Sequence, residues 1–109
     1  MATLTVGTIR KFKSAFGELD GVVVFVDRKW SCYQVIFING EEAPVHFGDI
    51  VGPSNLSADY KRALKVVAEE YAAQRNAVDL WRQYEQEANN RYIHLTNLRN
   101  SLRANYNRG

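Results

Sequence analysis

The stretch WSCYQVIFING, residues 30–40, decides how the first half of the chain folds. Its side chains alternate in a period of two, which predicts a β-strand over residues 30–38. One face of the predicted strand carries Tyr33, Val35 and Phe37, and the other carries Cys32, Gln34, Ile36 and Ile38. Asn39 and Gly40 follow at once, and both accept a positive φ at low cost. The stretch therefore predicts a type I′ hairpin turn, with residues 41–47 as the returning strand.

Two further strands are predicted before this hairpin. Residues 3–13 are rich in β-branched side chains and alternate in part. Residues 22–26 form a continuous apolar run that follows Asp20-Gly21, a dipeptide typical of turns. These patterns predict strands at 3–13 and 22–26, with a turn at Asp20-Gly21 before the second.

The strand at 41–47 is predicted to lie at a sheet edge or to end early. Pro44 has no backbone N–H, so it cannot donate a hydrogen bond to a neighbouring strand. Residues 47–51 then predict a turn and a last short strand. Four or five short strands in about fifty residues are too few for a two-layer sandwich. We therefore expect a small SH3-like β-barrel or a curled antiparallel sheet over residues 1–52.

A long helical segment is predicted at residues 57–106, which makes the fold class α+β. Gly52-Pro53 ends the sheet, and Ser57 is a suitable N-cap. Residues 57–105 contain neither Gly nor Pro. An unbroken helix of that length would reach about 70 Å, more than twice the width of a small domain.

Apolar side chains recur along this segment at spacings of three and four, with one step out of phase after Trp81. Such a seam needs a cover, from the β-unit, from the helix folding back, or from a second copy of the chain. A fold-back needs a break, for which Asn76 and Asn89-Asn90 are the candidates. The pattern favours a continuous or gently kinked helix over a hairpin, and a homodimer. The residues expected to self-associate are Tyr60, Leu64, Val67, Tyr71, Val78, Trp81, Tyr84, Leu95, Leu98 and Leu102.

The charge distribution suggests a second contact surface. The formal net charge is +2, the first half is close to neutral, and the last twenty or so residues contain no acid. A segment whose charged side chains are all positive attracts a polyanion or an acidic protein surface. The competing interpretation is that these are ordinary solubilising charges. The candidate contacts for a partner protein or nucleic acid are Arg91, Tyr92, Arg99 and Arg103 in the helical segment, and Arg10, Lys11, Lys13, Arg28 and Lys29 in the β-half.

The sequence predicts a cytoplasmic location. Cys32 is the single cysteine, which favours a reducing compartment and excludes a disulfide within one chain. The first residues lack the pattern of a signal peptide. No stretch approaches the roughly 20 apolar residues of a membrane span.

No catalytic site, metal site, cofactor or small-molecule substrate is expected. Asp20, Asp27 and Lys29 are the residue types of a metal-dependent nuclease, but they are predicted to lie in separate turns. His46 and His94, the two histidines, lack the spacing of metal ligands. The sequence also lacks a Walker loop, a dinucleotide-binding fingerprint and a nucleophile elbow.

We therefore expect a non-enzymatic binding protein, such as an adaptor, regulator or inhibitor. It would self-associate through its long helix and bind a partner protein. The alternative is a nucleic-acid-binding protein that uses the basic C-terminal helix and the basic β-face, with an affinity that falls steeply with salt. The size and two-part construction would suit a small phage or mobile-element protein that acts on a host complex.

Overall fold

A computed structural model describes the chain at residues 3–79 and 81–108, with side chains at 3–75 and 93–108. Its elements in chain order are β1 (Ile9–Ser14), β2 (Gly17–Asp27), β3 (Cys32–Phe37), β4 (Glu42–His46), β5 (Ile50–Pro53), α1 (Ala58–Asp79) and α2 (Trp81–Arg108). The predicted α+β class is confirmed, with strands first and helical structure after them.

The five strands form one antiparallel sheet in the order β4-β3-β2-β1-β5. β4 lies at an edge, as Pro44 predicts. The pairing shifts register between Val23 and Phe25 in β2, and between Lys11 and Phe12 in β1, and such irregularities increase the bend of a sheet. β1 and β4 are not neighbours in the sheet, yet they pack against each other. The sheet is therefore curled but open, whereas a closed barrel is not formed.

Both faces of the sheet are buried, which explains the continuous apolar run in β2. The inner face encloses a core made of Phe12, Val23, Tyr33, Val35, Phe37 and Val45. The outer face meets the helices in a second core made of Ile9, Val22, Val24, Ile36, Leu64, Val67, Ala68, Leu95 and Leu102. Successive β2 residues serve opposite cores, so none of them needs to be polar. The predicted alternation of β3 is confirmed.

The predicted turn at Asp20-Gly21 is wrong, because both residues lie inside β2. The chain turns instead at residues 15–16, before Gly17. A Cβ added at Gly21 would lie 2.5 Å from Val35 Cγ1 and 3.0 Å from the Ile36 carbonyl oxygen. Gly21 is therefore explained by close packing against β3 rather than by a turn.

The predicted hairpin at Asn39-Gly40 is confirmed, but its type I′ geometry is wrong. Gly40 has φ +84°, whereas Asn39 has no positive φ. The Gly40 N–H donates to the Phe37 carbonyl at 2.9 Å, and the Phe37 N–H donates to the Glu41 carbonyl at 2.9 Å. These bonds define a three-residue loop in which a type I turn is followed by a left-handed glycine.

The helical segment is a hairpin rather than the favoured continuous helix. α1 ends at Asp79 and α2 begins at Trp81, and both predicted break positions, Asn76 and Asn89-Asn90, lie within these helices. Tyr60 near the start of α1 lies beside Leu102 near the end of α2, which makes the helices antiparallel. The longest dimension of the molecule is 41 Å, too short for an unbroken helix of about 70 Å. Over the described residues, neither helix has the length and apolar character needed to cross a bilayer.

Candidate functional site

Arg99 and Arg103 bind the chain's own β3–β4 turn. The Arg99 Nε donates to the Gly40 carbonyl oxygen at 2.9 Å, and its Nη1 lies 3.7 Å from Glu42 Oε1. The Arg103 Nη2 donates to Glu41 Oε1 at 3.0 Å. We call these contacts the α2 clasp. Both guanidinium groups are satisfied within the chain, so they anchor α2 and are poorly placed to offer free charge to a partner.

Tyr71 on α1 joins the same group of contacts. Its hydroxyl donates to Glu42 Oε2 at 3.4 Å. Burial raises the pKa of Tyr71 above its ordinary value of 10.0, and the Glu42 carboxylate raises it further. Arg75 opposes part of this shift in the pKa through a hydrogen bond and its positive charge.

The raised pKa of Tyr71 predicts a loss of stability in alkali. Because the folded state holds the phenolic proton more tightly than the unfolded state, this contribution is complete below about pH 10. It is lost as the pH rises through the higher pKa of the folded state. Tyr71→Phe should therefore make urea stability fall less steeply above pH 10, while Tyr106→Phe on exposed α2 surface should match the wild type. Equal alkaline slopes for wild type and Tyr71→Phe would contradict the assignment.

The predicted basic residues of β1 face acids on β2. Lys11 lies opposite Asp20, and Lys13 lies opposite Glu18. Directly opposed side chains of unlike charge attract each other and compensate one another's field. Arg10 uses its Nη1 to donate to the Ile9 carbonyl at 2.8 Å. Lys11 and Lys13 thus have acids opposite them in the strand register, and Arg10 is half-buried.

Arg28 and Lys29 lie outside the strands. They belong to residues 28–31, the loop between β2 and β3, which we call the β2–β3 tip. The Ser31 carbonyl accepts a hydrogen bond from the Phe47 N–H, and the Lys13 N–H donates to the Asp49 carbonyl two residues further on. The curl of the sheet therefore brings the end of β1 near the tip. The predicted basic β-face is thus made of two different elements, a loop that carries Arg28 and Lys29 and the strand β1.

The residues predicted to self-associate are largely covered within the chain. The buried members are Leu64, Val67, Leu95 and Leu102, and the partly buried members are Tyr60, Tyr71 and Leu98. The sheet and the opposite helix provide this cover. Val78, Trp81 and Tyr84 lie outside the described side chains, as do Arg91 and Tyr92 of the predicted binding set.

Sequence reasoning missed Trp30, which the structure places at the β2–β3 tip. The Trp30 side chain is 67% exposed. The Lys29 ammonium lies 5.7 Å from the centre of its ring, a cation–π distance. The predicted strand over residues 30–38 includes Trp30, whereas β3 begins at Cys32 and leaves Trp30 in the loop. The local signal was the run Arg28-Lys29-Trp30, two cations and an aromatic side chain in a turn.

The backbone of the β2–β3 tip is held in place. Asp27 Oδ1 accepts a hydrogen bond from the Trp30 N–H at 3.2 Å. The Ser31 carbonyl accepts one from the Phe47 N–H at 3.0 Å, which ties the tip to the end of β4. Ser31 has φ +53°, uncommon for a residue other than glycine. The tip therefore presents Trp30 from a defined loop, which reduces the entropy lost on binding.

The structure does not assemble the nuclease-like residues. Asp20 and Asp27 are both in β2, seven residues apart, or about 20 Å along the strand. Among residues whose side chains are described, no three or more His, Cys, Asp or Glu could hold a metal ion together. His94 lies 3.8 Å from Glu70, and His46 pairs across strands with Cys32.

No protein-family model matches the chain, and no curated protein or solved structure is significantly similar to it. The fold and site define an open, curled antiparallel sheet backed by a helical hairpin, with an exposed aromatic and cationic hairpin tip. The function is therefore argued from the chemistry of that tip.

Proposed function

We propose that the protein is a non-enzymatic binding protein for nucleic acid, and that it contacts its ligand with the β2–β3 tip. One observation carries this proposal. Among the predicted basic contacts with described side chains, Arg28 and Lys29 are the exposed ones that neither face an acid across the sheet nor form an ion pair. Their charge is therefore available to an external anion.

Exposure makes these two cations suited to phosphate binding. A cation already paired to a carboxylate must break that pair before it can bind a phosphate, as Arg99 and Arg103 would have to. Arg28 and Lys29 need to displace only water and counterions. Release of the counterions around the nucleic acid then favours binding, with a strength that depends on salt.

The test removes the charge of the tip and measures binding to a labelled oligonucleotide by fluorescence anisotropy. Arg28→Ala/Lys29→Ala should weaken binding at low salt. Loss of two phosphate contacts should also reduce the slope of log affinity against log salt by about 1.4 to 1.8. The matched control is Lys65→Ala/Arg108→Ala, which removes one lysine and one arginine from exposed positions on the helices. Equal weakening by both double variants, or no binding by the wild type at low salt, would contradict the proposal.

A partner protein with an acidic surface is the other class expected from the sequence. Poly-glutamate serves as the probe for it, since it carries negative charge without phosphates or bases. Binding of poly-glutamate as tightly as the oligonucleotide would overturn the assignment to nucleic acid. Preference for the oligonucleotide at matched charge would support it.

We also propose that the chain self-associates, that its β-half resembles an SH3-like barrel, and that the protein is cytoplasmic. Val78, Trp81 and Tyr84 are the main residues proposed to contact a second copy, because much of the remaining apolar seam is covered within the chain. Light scattering of the full chain tests it. The packing of β1 against β4 supports a barrel-like curl, and the single cysteine supports a reducing compartment.

A further inference from the structure

We infer that the nucleic acid bound at the β2–β3 tip is single-stranded, and that one of its bases stacks on Trp30. This inference rests on the proposed function and names the ligand class. It is carried by the aromatic side chain, whereas the proposed function is carried by the two cations.

Trp30 stands apart from the other exposed aromatic side chain at a hairpin turn. Phe16 is 46% exposed, but its ring makes an edge contact with Phe37 at a centroid distance of 6.0 Å. Trp30 is 67% exposed and, among the described rings, makes no such contact. Contact with a flat apolar partner lowers the free energy of a large indole ring that is otherwise exposed to water at a fixed position.

A base of a single strand is such a partner. Every base has a flat π-face, so stacking on an aromatic side chain tolerates any sequence. In a duplex those faces are covered by the neighbouring base pairs, and a tryptophan at the surface cannot reach them. The exposed ring therefore favours unpaired nucleotides over double helix.

The neighbouring cations fit the same ligand. Arg28 and Lys29 precede Trp30 directly, so phosphates beside a stacked base would lie within reach of two positive charges. The Lys29 ammonium already lies against the ring. The hydrogen bonds of Asp27 and Ser31 hold the loop before the ligand arrives. Stacking and charge are thus presented together by three consecutive residues, Arg28, Lys29 and Trp30.

The experiment compares three probes of equal length: a single-stranded oligonucleotide, the same strand with abasic sites, and a duplex. Wild type should bind the single strand more tightly than the abasic strand and the duplex. Trp30→Ala should weaken binding to the single strand by roughly 5- to 150-fold, the range for loss of one stacked base. It should leave binding to the abasic strand unchanged. Phe16→Ala, which removes an exposed aromatic ring from the β1–β2 turn, should behave as wild type.

A second readout uses the fluorescence of Trp30. Trp30 and Trp81 are the two tryptophans, so Trp81→Phe leaves Trp30 as the single tryptophan, which is excited selectively over the tyrosines. The single strand should quench its emission, and the abasic strand at equal saturation should not. Quenching to the same extent by both strands would contradict stacking.

The outcomes separate this inference from the proposed function. If Arg28→Ala/Lys29→Ala weakens binding but Trp30→Ala does not, nucleic-acid binding holds and stacking is overturned. If wild type binds none of the three probes at low salt, both are overturned. If Trp30→Ala weakens binding to poly-glutamate as much as to the single strand, the tip recognises an acidic protein and the inference is wrong.

Discussion

Gly40→Ala should lower the free energy of unfolding by about 2–4 kcal/mol. Gly40 has φ +84°, where a residue with a Cβ is strained. An added Cβ would also lie 2.6 Å from the Arg99 carbonyl oxygen and 3.1 Å from the Arg103 Cβ. The first neighbour is helix backbone, which cannot turn aside as a flexible side chain can. The methyl group would therefore force the β3–β4 turn and α2 apart and loosen the α2 clasp.

Urea unfolding followed by circular dichroism measures this loss. Gly48→Ala is the matched control, because a Cβ at Gly48 meets nothing within 4 Å and its φ is not positive. We expect Gly48→Ala to stay within about 0.5 kcal/mol of the wild type. Similar stabilities of the two variants would show that α2 does not lie against the turn as described.

Leu64→Ala should lower the free energy of unfolding by about 2–5 kcal/mol. Leu64 is fully buried between the outer face of the sheet and the helices, in the core that contains Ile36 and Leu102. Truncation to alanine removes apolar contacts on all sides and leaves a cavity. Val66 lies two residues further on α1 and is 38% exposed. Val66→Ala is therefore expected to change stability by less than about 0.5 kcal/mol.

Leu64→Ala also distinguishes whether the apolar seam of the helices is covered by its own chain or by a second copy. If Leu64 is covered within its own chain, the difference in stability between wild type and Leu64→Ala does not change with protein concentration. If Leu64 packs against a second copy, stability rises with concentration in the wild type, because association is linked to folding. A concentration-dependent midpoint that Leu64→Ala abolishes would contradict the arrangement described.

The sequence predicted features that depend on neighbouring residues. The alternation of β3 needs only the local period of two, and the hairpin at Asn39-Gly40 needs only two turn residues. The edge position of β4 follows from Pro44 alone. Each of these was confirmed because its physical cause lies within a few residues.

Features that depend on distant residues were predicted poorly. Asp20-Gly21 resembles a turn, but the reason for Gly21 is the Val35 side chain on another strand. The apolar spacing of the helical segment indicates that these side chains are buried, but it does not indicate which surface buries them. Arg99 and Arg103 looked like free charge because their acids, Glu41 and Glu42, lie some sixty residues earlier in the chain. Trp30 was hidden by a strand assignment two residues too long at its start.

The α2 clasp also has a consequence for how the protein folds. Its Arg103–Glu41 contact joins residues 62 positions apart, whereas the β3–β4 turn closes across three residues. Closing a long loop loses more chain entropy than closing a short one, so non-local contacts tend to form later. We expect the β3–β4 hairpin to form first and α2 to dock on it afterwards. Docking of α2 would then be the slow, concluding event, and a nascent chain would have to be synthesised beyond Arg103 before it could occur.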